Sequence, residues 1–116
     1  MSLHYKILGE GDPLIILHGL FGSSDNWNTL ARRFAEHRKV ILVDQRNHGR
    51  SFHDDEMNYQ IMASDLTSLM DELKIEKADF LGHSMGGKTV MALASESPKY
   101  ISRLIVADIG PKAYES

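Results

Sequence analysis

A serine flanked by glycines lies between a short apolar run and a helical pattern. The segment is Gly82-His83-Ser84-Met85-Gly86, and it directly follows the apolar residues 78–81 (ADFL). A G-x-S-x-G sequence between a strand and a helix is typical of a turn so sharp that larger side chains two residues before or after the serine would collide. Such a turn lifts the Ser84 hydroxyl above the sheet, where the backbone N–H of Met85 can face the oxyanion of a tetrahedral intermediate. Ser84 is therefore the candidate nucleophile, and Met85 is a candidate oxyanion donor.

Apolar runs alternate with helical patterns along the chain. Runs without polar alternation favour strands that are buried on both faces, as in a parallel sheet, and they cover residues 14–17, 40–43, 78–81 and 104–107. Residues 3–8 alternate weakly and predict an edge strand. Apolar stripes at helical spacing cover residues 27–34, 59–73 (with Asn58 as N-cap) and 88–97. The pattern predicts an α/β fold, a mostly parallel sheet flanked by helices, in one domain over residues 1–116.

The composition excludes several classes of protein. Hydrophobic residues make up 42% and charged residues 25%, which is typical of a globular domain. The net charge of −3 offers no basic excess for nucleic acid. The absence of cysteine excludes a thiolate nucleophile and fits a reducing compartment. No apolar run approaches the roughly 20 residues of a membrane span. We expect a cytoplasmic chain that binds neither nucleic acid nor membrane and needs no cofactor or metal.

A second glycine-containing turn follows residues 14–17. Its sequence is His18-Gly19-Leu20-Phe21-Gly22. An acyl-transfer site needs a second N–H donor from another loop to complete its oxyanion hole. The Leu20 amide is the candidate for that donor, with Phe21 as the next candidate, and both side chains would line the acyl pocket. Alone this segment would be an ordinary glycine turn, and only its combination with Ser84 predicts a role in catalysis.

Three motifs follow one another along the chain, HGLFGS at 18–23, DQRNHGRS at 44–51 and GHSMGGK at 82–88. Their sequences and their order resemble the α/β-hydrolase fold. They are most similar to the small bacterial YbfF-type esterases and their mitochondrial abhydrolase-domain relatives. Asn47 stands where the commoner motif D-x-R-G-x-G-x-S has glycine, and asparagine tolerates left-handed backbone. The resemblance implies hydrolysis of a small-molecule acyl ester through an acyl-enzyme intermediate. It assigns Ser84 as nucleophile and the Leu20 and Met85 amides as the oxyanion hole.

The resemblance also implies an acid and a histidine. Asp108 closes the run 104–107 and follows Ser84 by 24 residues (108 − 84), as in branches whose acid ends the next strand. The alternative is that Asp108 caps a strand or turn. The family order is Ser, acid, His, but residues 109–116 contain no histidine, and His48 is the only remote substitute among the earlier ones.

The chain therefore resembles the N-terminal half of the fold, with the His-bearing part absent. The strand at 104–107 would then be an uncovered edge, and exposed edges pair with other chains. We expect a second chain or self-association to complete the sheet. The 116 residues alone should show little or no esterase turnover.

Two other functions stay open at this point. Residues 82–89 also fit the P-loop pattern G-x-x-x-x-G-K-[ST], in which Lys88 would hold phosphates and Thr89 a Mg²⁺ ion. Against it, His83, Ser84 and Met85 are bulky or polar where a phosphate needs close backbone approach. A non-catalytic binding scaffold is the second possibility, because the base is absent.

Overall fold

The structure is a computed structural model that describes residues 3–17, 32–45, 58–83 and 85–107. Its strands are β1 (His4–Leu8), β2 (Pro13–Leu17), β3 (Lys39–Asp44), β4 (Ala78–His83) and β5 (Ile101–Ala107). Helix α1 (Tyr59–Glu72) connects β3 to β4, and helix α2 (Met85–Glu96) connects β4 to β5 through a 3₁₀ turn at Pro98–Tyr100. No helix among these described residues is long and apolar enough to cross a membrane.

The five strands form one sheet in the order β1-β3-β2-β4-β5. β1 is antiparallel to β3, whereas β3, β2, β4 and β5 are mutually parallel. The predicted α/β class with a mostly parallel sheet is confirmed, and so is the edge position of β1. Because parallel strands end at the same edge, the segments after β2, β4 and β5 all leave the sheet at its carboxyl edge, where ligands bind in folds of this kind.

The core lies on both faces of the central strands. The apolar residues of β2 and β3 at 14–17 and 40–43 are at most 3% exposed, which confirms the prediction of burial on both faces. One face packs against α1 and α2 through a large cluster that includes Phe80, Leu66 and Leu93. The opposite face holds a smaller cluster around Ile16, Leu42 and neighbouring apolar residues. This burial fixes the central strands, and with them the position of the carboxyl edge.

Helix α1 matches its predicted cap and stripe. The Asn58 side chain accepts a hydrogen bond from the Ile61 N–H at 2.8 Å, which satisfies a donor that the helix cannot use internally. The buried residues recur at helical spacing and are Met62, Ala63, Leu66, Leu69 and Met70. Tyr59 departs from the predicted stripe, since it lies in the first turn and is 38% exposed.

Helix α2 begins earlier than the apolar pattern predicts. The pattern started at Lys88, but the helix runs from Met85 to Glu96. Gly86 and Gly87 carry no apolar side chain, so the first turn of the helix adds only Met85 to the hydrophobic periodicity. Of the first predicted helix, at 27–34, only residues 32–34 lie in the described part, and they are helical.

Strand β5 is formed as predicted, but it is not buried on both faces. Leu104, Ile105 and Val106 are 37%, 58% and 42% exposed. β5 is the last strand of the described sheet, with β4 as its only neighbour in that sheet. The prediction of burial failed because an apolar run does not reveal whether a neighbouring element is present. The expected uncovered edge is found in the described part of the chain.

Candidate active site

In the turn between β4 and α2, the backbone of the first turn of α2 packs directly against Gly82. β4 ends at His83 and α2 begins at Met85, so that a single residue, Ser84, joins them. A Cβ atom at position 82 would lie 2.6 Å from the Gly86 carbonyl oxygen and 2.7 Å from the Gly87 Cα. Both are backbone atoms, so no change of side-chain rotamer could relieve the overlap. The sharp strand-to-helix turn predicted from the motif is therefore present.

Gly87 brings α2 onto β5. A Cβ atom at this position would lie 2.7 Å from the Val106 Cγ1 atom and 3.3 Å from the Gly82 carbonyl oxygen. The G-x-S-x-G pattern gives no role to Gly87. The P-loop pattern includes it as the second glycine. Its only signal in the sequence is the doubled glycine at 86–87, which indicates close approach of a helix to its neighbours.

The strand register brings three predicted site segments to one edge of the sheet. Leu17 at the end of β2 pairs with Gly82, and His83 at the end of β4 pairs with Ala107 at the end of β5. Adjacent strands lie about 4.8 Å apart, so these three strand ends span only about 10 Å. The residues that follow them carry the predicted oxyanion turn, nucleophile and acid.

The predicted site residues themselves lie largely outside the described residues. Leu20, Phe21, Ser84 and Asp108 are all in this position, as are Asn47 and His48. The Met85 backbone is described, and it forms the first residue of α2. The first N–H groups of a helix have no intrahelical acceptor, so the Met85 amide has the character expected of an oxyanion donor.

Two of the three histidines that the structure describes lie away from the carboxyl end of β4. His4 begins β1, which is three strand spacings from β4, or about 14 Å. His37 precedes β3 and lies at the opposite, amino edge. The third, His83, is the last residue of β4 and is partly buried. His18, His48 and His53 lie outside the described residues.

The geometry contradicts the P-loop alternative. A P-loop places several residues between strand and helix, and their backbone N–H groups surround a phosphate. Here only residue 84 lies between β4 and α2, and the backbone of Gly86 and Gly87 fills the space beside Gly82. Thr89, which would bind Mg²⁺, is fully buried in α2. The described strand and helix therefore leave no loop of the length that a P-loop needs between them.

An ion-pair cluster fastens the strands at the amino edge. An Arg38 Nη2 atom lies 2.6 Å from the Asp79 Oδ2 atom and donates a second hydrogen bond to the Pro13 carbonyl oxygen at 3.3 Å. The Arg103 Nε atom lies 3.7 Å from the same Asp79 oxygen, but the Arg103 side chain is 84% exposed. These contacts link the starts of β2, β3 and β4. They hold the sheet at the end opposite the candidate site.

Two cavities of about 430 and 260 Å³ lie beside this amino edge, and neither touches Gly82 or α2's first turn. The larger is bordered by Asp71, Lys99 and Tyr100, the smaller by Arg38, Asp79 and Arg103. Their volume alone is not evidence of a binding site. The reactive groups predicted from the sequence follow the opposite, carboxyl ends of the strands. In the described ranges, no three His, Asp or Glu side chains are grouped to hold a metal ion.

Sequence comparison identifies the class of protein. The family described as alpha/beta hydrolase fold matches residues 12–114, so the chain belongs to that family. It is 49% identical over 105 residues to the esterase YbfF of Escherichia coli, covering 90% of this chain and 41% of that protein. It is 48% identical over 103 residues to the sn-1-specific diacylglycerol lipase ABHD11 of Xenopus laevis, covering 87% of this chain and 33% of the lipase.

A solved structure gives the same result. A marine microorganism esterase matches with a TM-score of 0.91 and 49% identity, covering 95% of this chain and 42% of the esterase chain. The resemblance to YbfF-type esterases predicted from the three motifs is confirmed. The chain spans about two fifths or less of the length of these relatives.

Proposed function

We propose that this chain carries the nucleophile of a serine hydrolase that cleaves small-molecule carboxylic esters through an acyl-enzyme intermediate. The observation that carries the proposal is the closed corner at Gly82, where β4 passes into α2 through residue 84 alone. Such a corner projects a side chain away from the sheet at its carboxyl edge. Two of the most similar relatives support this choice of bond, because one is named an esterase and the other a diacylglycerol lipase.

The mechanism follows from the expected groups at this edge. The Ser84 Oγ atom attacks the ester carbonyl carbon while a histidine accepts its proton. The N–H groups of Met85 and Leu20 stabilise the oxyanion, and loss of one such donor costs about 10²–10³ in rate. The C–O bond to the alcohol then breaks as the imidazolium returns the proton to the leaving oxygen. Water, deprotonated by the same histidine, attacks the acyl-enzyme and releases the acid.

Asp108 is proposed to orient that histidine and stabilise its charged form. His83 pairs with Ala107 across β4 and β5. Ser84 follows His83 in the chain and Asp108 follows Ala107, and this adjacency supports the proposal. Leu20 and Phe21 are proposed to line the acyl pocket. The cytoplasmic location predicted from the sequence stays a prediction.

A fluorophosphonate probe tests the proposal, with imidazole in the buffer as a substitute base. We expect slow labelling of the chain that increases with imidazole concentration and maps to Ser84. The Ser84→Ala variant should not be labelled. Ser68→Ala, at an exposed position of α1, is the matched control and should be labelled like the unmodified chain.

Two results would contradict the proposal. Labelling that persists in Ser84→Ala would place the reactive group elsewhere. A chain that is not labelled at any imidazole concentration would favour the non-catalytic scaffold. Binding of ATP with Mg²⁺, measured in parallel, should be absent, and binding that Lys88→Ala abolishes would restore the P-loop.

A further inference from the structure

The smaller cavity at the amino edge of the sheet, here named the arginine cavity, has more cations at its border than its ion pair needs. The charged residues that border it are three cations and two carboxylates, Arg38, Lys77, Arg103, Asp12 and Asp79. Arg38 makes the close ion pair with Asp79, and an almost buried carboxylate needs such a partner. Arg103 and Lys77 add positive charge beyond that need, which leaves the border with one positive charge in excess.

A shift in strand register brings two consecutive residues of β5 to the arginine cavity. Ala78 pairs with Ile101 but Asp79 pairs with Arg103, so Ser102 is an extra residue on β5. Successive side chains of a regular strand point to opposite faces, yet Ser102 and Arg103 both border this cavity. Irregularities of this kind redirect side chains and are common next to functional sites.

The Arg103 guanidinium is only loosely held. Its Nε atom lies 3.7 Å from the Asp79 Oδ2 atom, beyond hydrogen-bond distance, and its side chain is 84% exposed. An exposed contact of this kind contributes little to stability, so the guanidinium can turn toward a ligand at small cost. Guanidinium groups bind the oxygens of phosphate and carboxylate through parallel N–H donors. The cationic border therefore suits an oxyanion.

Asp79 limits which oxyanion the cavity can accept. Within the described residues, both cationic contacts of its carboxylate use Oδ2, so Oδ1 is the candidate acceptor. An ionised carboxylate accepts hydrogen bonds and repels a fully deprotonated anion such as sulfate. Phosphate at neutral pH keeps at least one P–OH group, which can donate to the carboxylate. Asp12, the second carboxylate at the border, adds to this preference.

We propose that the arginine cavity binds inorganic phosphate. Arg38, Lys77 and Arg103 bind its oxygens, and Asp79 accepts the hydrogen bond from its P–OH group. Bound phosphate would link the starts of β3, β4 and β5 and stabilise the folded chain, as any ligand of the folded state alone does. Asp79 lies about 13 Å along β4 from His83, so this site is separate from the candidate active site.

Calorimetric titration of the full chain with phosphate and with sulfate, at equal ionic strength and neutral pH, tests the proposal. We expect one phosphate to bind at least about tenfold more tightly than sulfate and to raise the temperature of thermal unfolding. Arg103→Ala should weaken phosphate binding at least about tenfold, because it removes a charged donor. Lys88→Ala, at an exposed position of α2, is the matched control and should bind phosphate like the unmodified chain.

Asp79→Asn tests the selectivity. It keeps an oxygen that Arg38 can contact but removes the negative charge, so sulfate should bind about as tightly as phosphate. No measurable phosphate binding, or equal affinity of the unmodified chain for both anions, would overturn the proposal. Phosphate binding that Arg103→Ala leaves unchanged, or that Lys88→Ala abolishes, would also overturn it. Labelling of Ser84 tests only the proposed function, so the two proposals can fail independently.

Discussion

His83 and Ala107 occupy paired positions at the ends of two adjacent parallel strands. Ser84 follows His83 in the chain, and Asp108 follows Ala107. The register of β4 against β5 therefore determines which strand ends precede the proposed nucleophile and acid. The register shifts once, near Ala78 and Asp79, before it becomes regular toward the carboxyl edge. Slippage of β5 by one residue would place Ala107 or Ile109 where the carboxylate is needed.

Gly82→Ala should disrupt the corner. The added methyl group would meet the backbone of Gly86 and Gly87 at 2.6–2.7 Å, and relief requires the backbone of α2 to move. We expect a loss of unfolding free energy of about 1–3 kcal/mol, measured by urea denaturation, together with loss of labelling at Ser84.

Gly87→Ala is the control for that variant. Its added methyl group would meet the Val106 side chain at 2.7 Å, and Val106→Ala in the same chain should restore much of the lost stability. No such second substitution can rescue Gly82→Ala. Equal loss in both glycine variants, with no rescue, would contradict the described corner.

Asp79→Ala should destabilise the amino edge of the sheet. It leaves Arg38, which is 28% exposed at its side chain, without the carboxylate that it contacts at 2.6 Å. We expect a loss of about 1.5–3 kcal/mol in unfolding free energy. Arg103→Ala removes only an exposed contact at 3.7 Å and should cost less than about 1 kcal/mol. A larger cost for Arg103→Ala than for Asp79→Ala would show that the cluster is not organised around Asp79.

Asn58→Ala should shorten α1 at its N-terminus. The substitution removes the acceptor for the Ile61 N–H, and loss of such a cap costs about 0.5–2 kcal/mol. Asn58→Asp keeps the acceptor and should retain most of the stability. Hydrogen exchange at Ile61 locates the effect, and unchanged exchange in Asn58→Ala would show that the cap is dispensable.

Tyr100 should ionise at higher pH than an ordinary tyrosine. Its hydroxyl donates to the Asp71 Oδ1 atom at 3.0 Å, and this hydrogen bond, aided by desolvation and by the Asp71 charge, raises the Tyr100 pKa above 10.0. The associated stabilisation is fully present below the unfolded pKa and is lost as the pH rises through the folded pKa. Asp71→Asn should lower the Tyr100 pKa. Titration of the tyrosine absorbance measures this pKa, and the Tyr100→Phe variant identifies which transition belongs to Tyr100. Ionisation of Tyr100 before the other tyrosines would contradict the prediction.

The sequence predicted the elements whose physical cause is local. The apolar runs of β2 and β3 are continuous because both faces of those strands are buried, and Asn58 is recognisable because a cap depends on a few adjacent residues. The corner at residue 84 was predictable for the same reason, since its steric requirement falls on glycines within the motif.

Features that depend on distant neighbours were not predicted. Asp79 lies inside an apolar run, and its partner Arg38 is 41 residues away in the sequence, so no local pattern links them. The exposure of Ile105 depends on which elements flank β5 and not on its own apolar run, and in the described sheet β5 is flanked by β4 alone. The role of Gly87 depends on Val106, a residue of β5 that the pairing of β5 with β4 brings next to α2.

We propose that the corner between β4 and α2 presents the hydroxyl of Ser84 as a nucleophile. The most direct measurement is peptide mapping by mass spectrometry after reaction with p-nitrophenyl acetate in imidazole buffer. We expect an acetyl group on Ser84, with no adduct at that peptide in Ser84→Ala. Acetylation confined to lysines or to other serines, with Ser84 unmodified, would contradict it.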